Sequence, residues 1–162
     1  MRRGPTRFLC DEMLARLARL LRAAGHDTAL ARAGEADAAL LARARDEDRL
    51  LVTRDRELAA RAGAHGVLVG GRGVLEEAQA LARAAPVDWS LAPFTRCVMD
   101  NAALREATAG ETAQAPPSAR GRPGPFRACP ACGRVYWPGS HTRRIAERLA
   151  VLERLNAPGP LA

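Results

Sequence analysis

TRFLCDEMLARLARLLRAAGHDTALA, residues 6–31, is the stretch on which the fold turns. Thr6–Cys10 is a short apolar run that stops at Asp11, the pattern of a buried strand. Met13, Leu14, Leu17, Leu20 and Leu21 then fall at i, i+4 and i+7 spacing. Arg16, Arg19 and Arg22 line the other, solvated face, so an amphipathic helix follows the strand. Gly25 stands where such a helix ends. His26–Ala31 predicts a second strand.

The same alternation continues outward. Ala36–Arg45 reads as a helix with Leu40 and Leu41 inward, and Arg49–Thr53 as a third strand leading to Asp55. Arg56–Ala62 is a short helix, Gly66–Val69 a fourth strand and Val74–Ala84 another helix. Strands alternating with helices imply βαβ units, hence an α/β fold with a mainly parallel sheet and helices on its faces. The pattern breaks at Pro86–Pro93, which is irregular. Arg96–Glu106 holds Cys97 and at most a helical turn. Residues 107–125 are rich in Ala, Gly, Pro, Ser and Thr without periodicity and read as a flexible connection. Cys129-Pro-Ala-Cys132-Gly133 is a tight turn, Arg134–Trp137 a strand, and Thr142–Leu155 a closing helix with Ile145, Leu149 and Leu152 on one face. The expected division is a body over 1–90 and a small arginine-rich module over 91–162, and no internal repeat is visible.

The 162 residues suffice for one domain with a small appendage. Aromatic residues make up only 4%, so Leu, Val and Ala must build the core. All 25 basic residues are arginine. Without lysine, a P-loop, a kinase strand lysine and a Schiff-base amine are excluded as usually built. The net charge of +7 is unevenly placed: residues 1–112 carry 17 Arg against 16 acids, whereas 113–162 carry 8 Arg against Glu147 and Glu153 alone. A basic tail on a near-neutral body points to a polyanionic partner. No run of 18 apolar residues would span a membrane, and the opening Met-Arg-Arg-Gly-Pro lacks the apolar stretch of a signal peptide. A cytoplasmic protein is therefore expected. Its four cysteines read first as metal ligands or buried thiols, with Cys10 packing as a small hydrophobe.

Asp11 and Asp55 stand at the carboxyl ends of predicted parallel strands, where ligands bind in open α/β sheets. Carboxylates gathered there repel one another unless a cation joins them, and hard oxygen ligands suit Mg²⁺ or Mn²⁺. Asp37, opening the second helix, is a third ligand candidate, and Glu57 a weaker fourth. Taken singly, Asp37 and Asp55 would also serve as helix caps. Arg120, Arg122, Arg127, Arg134, Arg143 and Arg144 are candidate phosphate contacts, since guanidinium forks match phosphate oxygens. Tyr136 and Trp137 either stack on unpaired RNA bases or cover the small core of the module.

Three segments carry a family resemblance. Residues 8–27, opening Phe8-Leu-Cys-Asp11-Glu-Met-Leu, together with Arg49-Leu-Leu-Val-Thr53-Arg-Asp55-Arg-Glu-Leu58, resemble the PIN-like RNases of the Mut-seven C-terminal (Mut7-C) family. Arg96-Cys97 and the run from Cys129 through Tyr136-Trp137-Pro-Gly139-Ser140-His141 resemble that family's appended zinc ribbon and closing motif. The resemblance implies a PIN-like three-layer α/β/α fold and metal-dependent cleavage of RNA. Asp11, Asp37 and Asp55 would then hold divalent metal, Glu57 would assist, and Thr53 would position Asp55. In the ribbon, four cysteines normally hold zinc, but here the first knuckle reads Cys97-Val-Met-Asp100. Cys97, Asp100, Cys129 and Cys132 are the expected zinc ligands, with His141 the alternative fourth. Two other functions compete with RNA cleavage: a non-catalytic RNA-binding protein, and a phosphatase for a small substrate, which would not need an extended basic patch. A homodimer is left open.

Overall fold

The computed structural model describes residues 4–156. Four short strands, β1 (Phe8–Cys10), β2 (Thr28–Leu30), β3 (Leu50–Thr53) and β4 (Gly66–Leu68), form a parallel sheet in the order β2-β1-β3-β4. Strand β1 is flanked on both sides, Leu9 pairing in register with Ala29 of β2 and Leu51 of β3. Strand β3 is likewise flanked, by β1 and β4. Both central strands are buried along their whole length. That double burial is why they read as unbroken apolar runs rather than as alternating ones.

Successive strand residues point to opposite faces, so the sheet has two cores. Phe8, Cys10 and Val52 meet Leu14, Leu17, Leu21 and Leu81 in one. Leu9 and Leu51 meet Leu40, Leu41 and Leu58 in the other. Helices α1 (Ala15–Ala23) and α4 (Val74–Ala84) cover the first face, and α2 (Asp37–Asp46) and α3 (Arg56–Ala62) the second. The result is the expected three-layer α/β/α body. Each fully buried leucine contributes about 1.5–3 kcal/mol of transfer free energy.

Two expectations about the first helix are corrected. Residues 12–14 form a 3₁₀ turn and the helix begins at Ala15, so Met13 falls outside it while Leu17, Leu20 and Leu21 stay inward. Met13, expected inside, is 76% exposed. Arg22, expected on the solvated face, is buried. Its Nε donates to the Thr28 carbonyl at 2.8 Å, and its Nη1 to the Val98 and Met99 carbonyls at 3.0 and 2.8 Å. Gly25 ends α1 as expected, with φ +102°, and a Cβ there would sit 2.5 Å from the Ala92 carbonyl oxygen. The site needs glycine twice over, for conformation and for space.

Residues 86–93 carry no helix or strand, but they are anchored. Trp89 is buried in the first core and its backbone N–H donates to Glu153 of the closing helix α7 (Ser140–Asn156) at 3.1 Å. Helix α7, read from the sequence with the module, places Leu149 and Leu152 in that same core. A second sheet of β5 (Arg105–Glu106), β6 (Arg127–Ala128) and β7 (Val135–Tyr136) is antiparallel in the order β5-β6-β7. The helical turn read within 96–106 is a single one, the Asn101 N–H donating to the Cys97 carbonyl at 2.9 Å. Arg96 bridges Ala103 around it, and β5 closes the segment. The stretch 107–125 holds two single-turn helices, α5 (Ala109–Thr112) and α6 (Pro117–Arg120). Thr108 and Glu111 form a capping box on α5, a local signal that its low periodicity conceals. No described helix is long and apolar enough to cross a membrane.

Candidate active edge and cysteine cluster

Parallel strands bring their carboxyl ends to one edge, which places Asp11 after β1 beside Asp55 after β3. Thr53, fully buried at the end of β3, links them. Its hydroxyl donates to Asp11 Oδ2 at 2.8 Å and accepts the Asp55 backbone N–H at 3.0 Å. The expected role of Thr53 toward Asp55 is thus seen in its backbone contact. Its bond to Asp11 was not foreseen, because 42 residues separate the two in sequence.

Each carboxylate is also tied to its own turn. Asp11 Oδ1 accepts the Glu12 N–H at 2.6 Å. Asp55 Oδ1 caps α3 by accepting the N–H groups of Glu57 and Leu58 at 2.7 and 3.0 Å. The cap reading and the site reading of Asp55 are therefore compatible, since both bonds fall on Oδ1 and no donor among the described residues reaches Oδ2. Asp37 opens α2 as expected, and Arg61 Nη1 from α3 donates to its Oδ2 at 3.1 Å. Glu57 is exposed in the first turn of α3. Asp11, Asp37 and Asp55 share the edge without forming a cluster. Among the described residues, the one group of three or more metal-ligating side chains within mutual reach lies elsewhere.

That group is Cys97, Asp100, Cys129 and Cys132, whose ligand atoms all lie within 4.8 Å of one another. Cys97 Sγ is 3.7 Å from Cys132 Sγ, and Cys129 Sγ is 3.2 and 3.4 Å from the two Asp100 oxygens. A tetrahedral zinc with bonds of about 2.3 Å to sulfur and about 2.0 Å to oxygen needs edges of about 3.8 and 3.5 Å. The observed spacings fit. Burial opposes ionisation of Asp100, but hydrogen bonds from the Ala102 N–H and the Cys132 and Cys129 thiols hold its pKa at about 2. Asp100 joins the thiols in the place a fourth cysteine would take, and His141 is outside the group. Cys10 behaves as expected, a buried thiol pushed up to about 12 chiefly by desolvation.

The first knuckle is clamped to the body by residues that the sequence did not flag. Arg22 holds its carbonyls from below. Asn101, with φ +73°, accepts the Thr28 N–H through Oδ1 at 2.9 Å and donates through Nδ2 to Asp27 at 2.7 Å. Asp27 also receives Arg49 at 2.8 Å and Arg7 at 3.0 Å. Burial works against that carboxylate, yet the Arg49, Asn101 and Arg7 hydrogen bonds hold it below the usual range. For Asn101 there was no signal in the sequence.

The expected RNA contacts divide by how their side chains are engaged. Arg120 Nε donates to the Ala115 carbonyl at 2.6 Å, Arg122 Nε to Ser118 at 3.1 Å, and Arg127 Nη1 to Phe94 at 2.9 Å. Arg134, Arg143 and Arg144 are exposed and make no side-chain hydrogen bond or ion pair among the described residues. The Tyr136 hydroxyl contacts Cys97 Sγ at 3.1 Å, and burial together with that sulfur raises its pKa. Trp137 is half-buried.

The model of one family, described as the Mut7-C RNAse domain, matches residues 6–149. No curated protein and no solved structure matches the chain.

Proposed function

The chain belongs to the Mut7-C RNAse domain family, and from that premise we propose that it hydrolyses RNA phosphodiester bonds at the acidic carboxyl edge of its parallel sheet. The observation that carries this reading is the Thr53 hydroxyl, which joins Asp11 Oδ2 to the Asp55 backbone across two strand ends. A buried hydroxyl fixes Asp11 against the Asp55 turn at one edge, where a cation would offset the negative charge gathered there.

Asp11, Asp37 and Asp55 are the residues to hold Mg²⁺ or Mn²⁺. The donor set fits such an ion: all are hard oxygens, and Asp55 Oδ2 has no competing donor among the described residues. When bound, the ion lowers the pKa of a coordinated water and neutralises charge on the phosphate. The protein's own part is positional. Thr53 fixes the spacing of the two strand-end turns, the α3 N-terminus orients Asp55, and Glu57 stands exposed beside it to assist. Arg120, Arg122, Arg127, Arg134, Arg143 and Arg144 supply phosphate contacts from the C-terminal module, so RNA is gripped there and cut at the sheet edge. Cys97, Asp100, Cys129 and Cys132 hold one structural zinc that keeps the two knuckles together. The setting we assign is the cytoplasm, in keeping with four free thiols.

A second reading, a non-catalytic RNA-binding protein retaining the fold, is favoured by one observation. Arg61 occupies Asp37, and the three carboxylates do not converge. Incubating the protein with labelled single-stranded RNA in Mn²⁺, Mg²⁺ or EDTA separates the two. Metal-dependent shortening of the RNA supports the hydrolase, and retention without shortening supports the binder.

A further inference from the structure

A groove of about 850 Å³ opens beside the cysteine cluster, and four arginines from three separate segments line it. Arg16 and Arg19 come from α1, Arg134 from the turn before β7, and Arg148 from α7. Tyr136 and Trp137 form part of its wall. Among the described residues, no acidic one lines it. Some exposed arginines elsewhere are paired, as Arg61 is with Asp37 and Arg105 with Glu111; what sets the groove apart is that four unpaired ones line a single concavity. Among the described residues, none of the four groove arginines makes an ion pair or a side-chain hydrogen bond. Four uncompensated guanidinium groups around one concavity repel one another, and a bound polyanion relieves that cost.

The aromatic wall narrows what the polyanion is. The Tyr136 hydroxyl is held by Cys97, which pins the ring. The Trp137 indole lies against Gly139, where a Cβ would sit 3.5 Å from its Nε1. Rings held in place this way offer flat apolar surface beside cationic groups, the combination that takes unpaired bases and their phosphates. An acidic peptide would use the arginines and leave the rings idle. The groove also points at the acidic edge. Arg16 sits in the first turn of α1, directly after the Asp11 turn, and Val74, which lines the same groove, opens α4 after β4. Both first turns lie at the carboxyl edge of the sheet. From Arg16 to Ala23, another lining residue, the helix rises about 10 Å away from that edge.

We propose that this groove seats an unpaired RNA segment, with phosphates on Arg16, Arg19, Arg134 and Arg148 and a base against Trp137, and leads the strand to the acidic edge. The proposal rests on the ribonuclease reading for its direction and assigns the substrate's single-stranded form to named residues. It recruits two α1 arginines that the sequence placed on a solvated face.

The test uses the full chain and a cleavage-resistant 2′-O-methyl oligouridine of 12 nucleotides, with affinity measured across a salt series. Arg16→Gln/Arg19→Gln should weaken binding about tenfold and make the slope of log affinity against log salt shallower by about 1.4, since each neutralised single-strand phosphate contributes about 0.7. Arg32→Gln/Arg83→Gln, the same charge change away from the groove, should leave both quantities unchanged. The oligonucleotide should also quench tryptophan emission in the wild type and not in Trp137→Phe, because Trp89 is buried. Equal losses in the two double variants, quenching that survives Trp137→Phe, or displacement of the oligonucleotide by polyglutamate of equal charge would each overturn the groove. Cleavage of unmodified RNA, measured in parallel, keeps the two readings apart. Groove-dependent binding without cleavage sinks the hydrolase alone, and cleavage with groove-independent binding sinks the groove alone.

Discussion

The acidic edge and the cysteine cluster are both candidate metal centres, and they are built in opposite ways. The edge draws on one sheet: parallel topology delivers Asp11 and Asp55 to the same side, and a single buried hydroxyl sets their relation. The cluster draws on two distant segments, 97–100 and 129–132, yet its ligand atoms already lie at tetrahedral spacing. The edge leaves its carboxylates separate, with Arg61 on Asp37. On the proposed reading, preorganisation belongs to the zinc site, and adaptability to the edge, which would have to admit substrate and ion together. A site that binds once and stays gains from fixed geometry, whereas one that turns over must release its product.

The largest expected effect falls on the preorganised side. Protein purified without chelator should carry about one zinc, and Cys129→Ser should carry almost none. Because zinc ties together two segments with little core of their own, its loss should cost at least about 3 kcal/mol. For a chain of this size that is a fall of roughly 6–12 °C in melting temperature. Zinc near zero in the wild type, with Cys129→Ser equally heat-stable, would mean that packing alone holds the knuckles.

Next comes the clamp between the knuckle and the body. Asp27→Asn leaves Arg49 buried with one partner fewer and weakens the Asn101 dock, at about 2 kcal/mol, less than the 3–5 kcal/mol of a fully buried pair because Asp27 keeps some contact with water. Since its folded pKa is depressed, the stabilisation is fully present above the unfolded value of about 3.9 and is lost as pH falls toward the folded one. Urea titrations should show the wild-type advantage constant at neutral pH and shrinking below pH 4. An advantage that grows on acidification would contradict the assignment.

The edge itself should respond more modestly. Thr53→Val keeps shape and burial but removes both hydrogen bonds, so cleavage should slow about tenfold, or ~1.4 kcal/mol of barrier, with zinc content unchanged. Equal rates would show that the hydroxyl link is incidental. The smallest effect is expected from Arg61→Gln. Releasing Asp37 from an exposed pair worth about 0.5 kcal/mol should lower the Mn²⁺ concentration needed for half-maximal cleavage by roughly twofold. A rise in that concentration would mean Arg61 positions Asp37 rather than competing for it.

These differences also mark what the sequence could disclose. The runs at Phe8–Cys10 and Leu50–Thr53 announced central parallel strands because burial on both faces leaves a continuous apolar signature. Asp11 and Asp55 were legible for the same reason, as the first acidic groups beyond those runs. Met13 was misplaced because it falls in a 3₁₀ turn ahead of the helix, which composition does not reveal. Arg22 was misplaced because a buried arginine satisfied by three carbonyls looks, in sequence, like any arginine on an amphipathic helix. The Thr53–Asp11 bond and the Asn101 dock are long-range contacts between polar residues, and no periodicity encodes them. Asp100 was legible only through its knuckle spacing from Cys97.

The account rests most directly on catalysis at the edge. Wild type and Asp11→Asn should be incubated with labelled single-stranded RNA in Mn²⁺, in Mg²⁺ and in EDTA, with melting temperature and zinc content recorded for both. The expected result is cleavage by the wild type in at least one of the two metals and none in EDTA. Asp11→Asn should cleave at least about 100-fold more slowly, a loss of ~2.7 kcal/mol in barrier, while keeping its fold and its zinc. Near-wild-type cleavage by folded Asp11→Asn, or wild-type cleavage undiminished by EDTA, would contradict the assignment of the acidic edge as the active site.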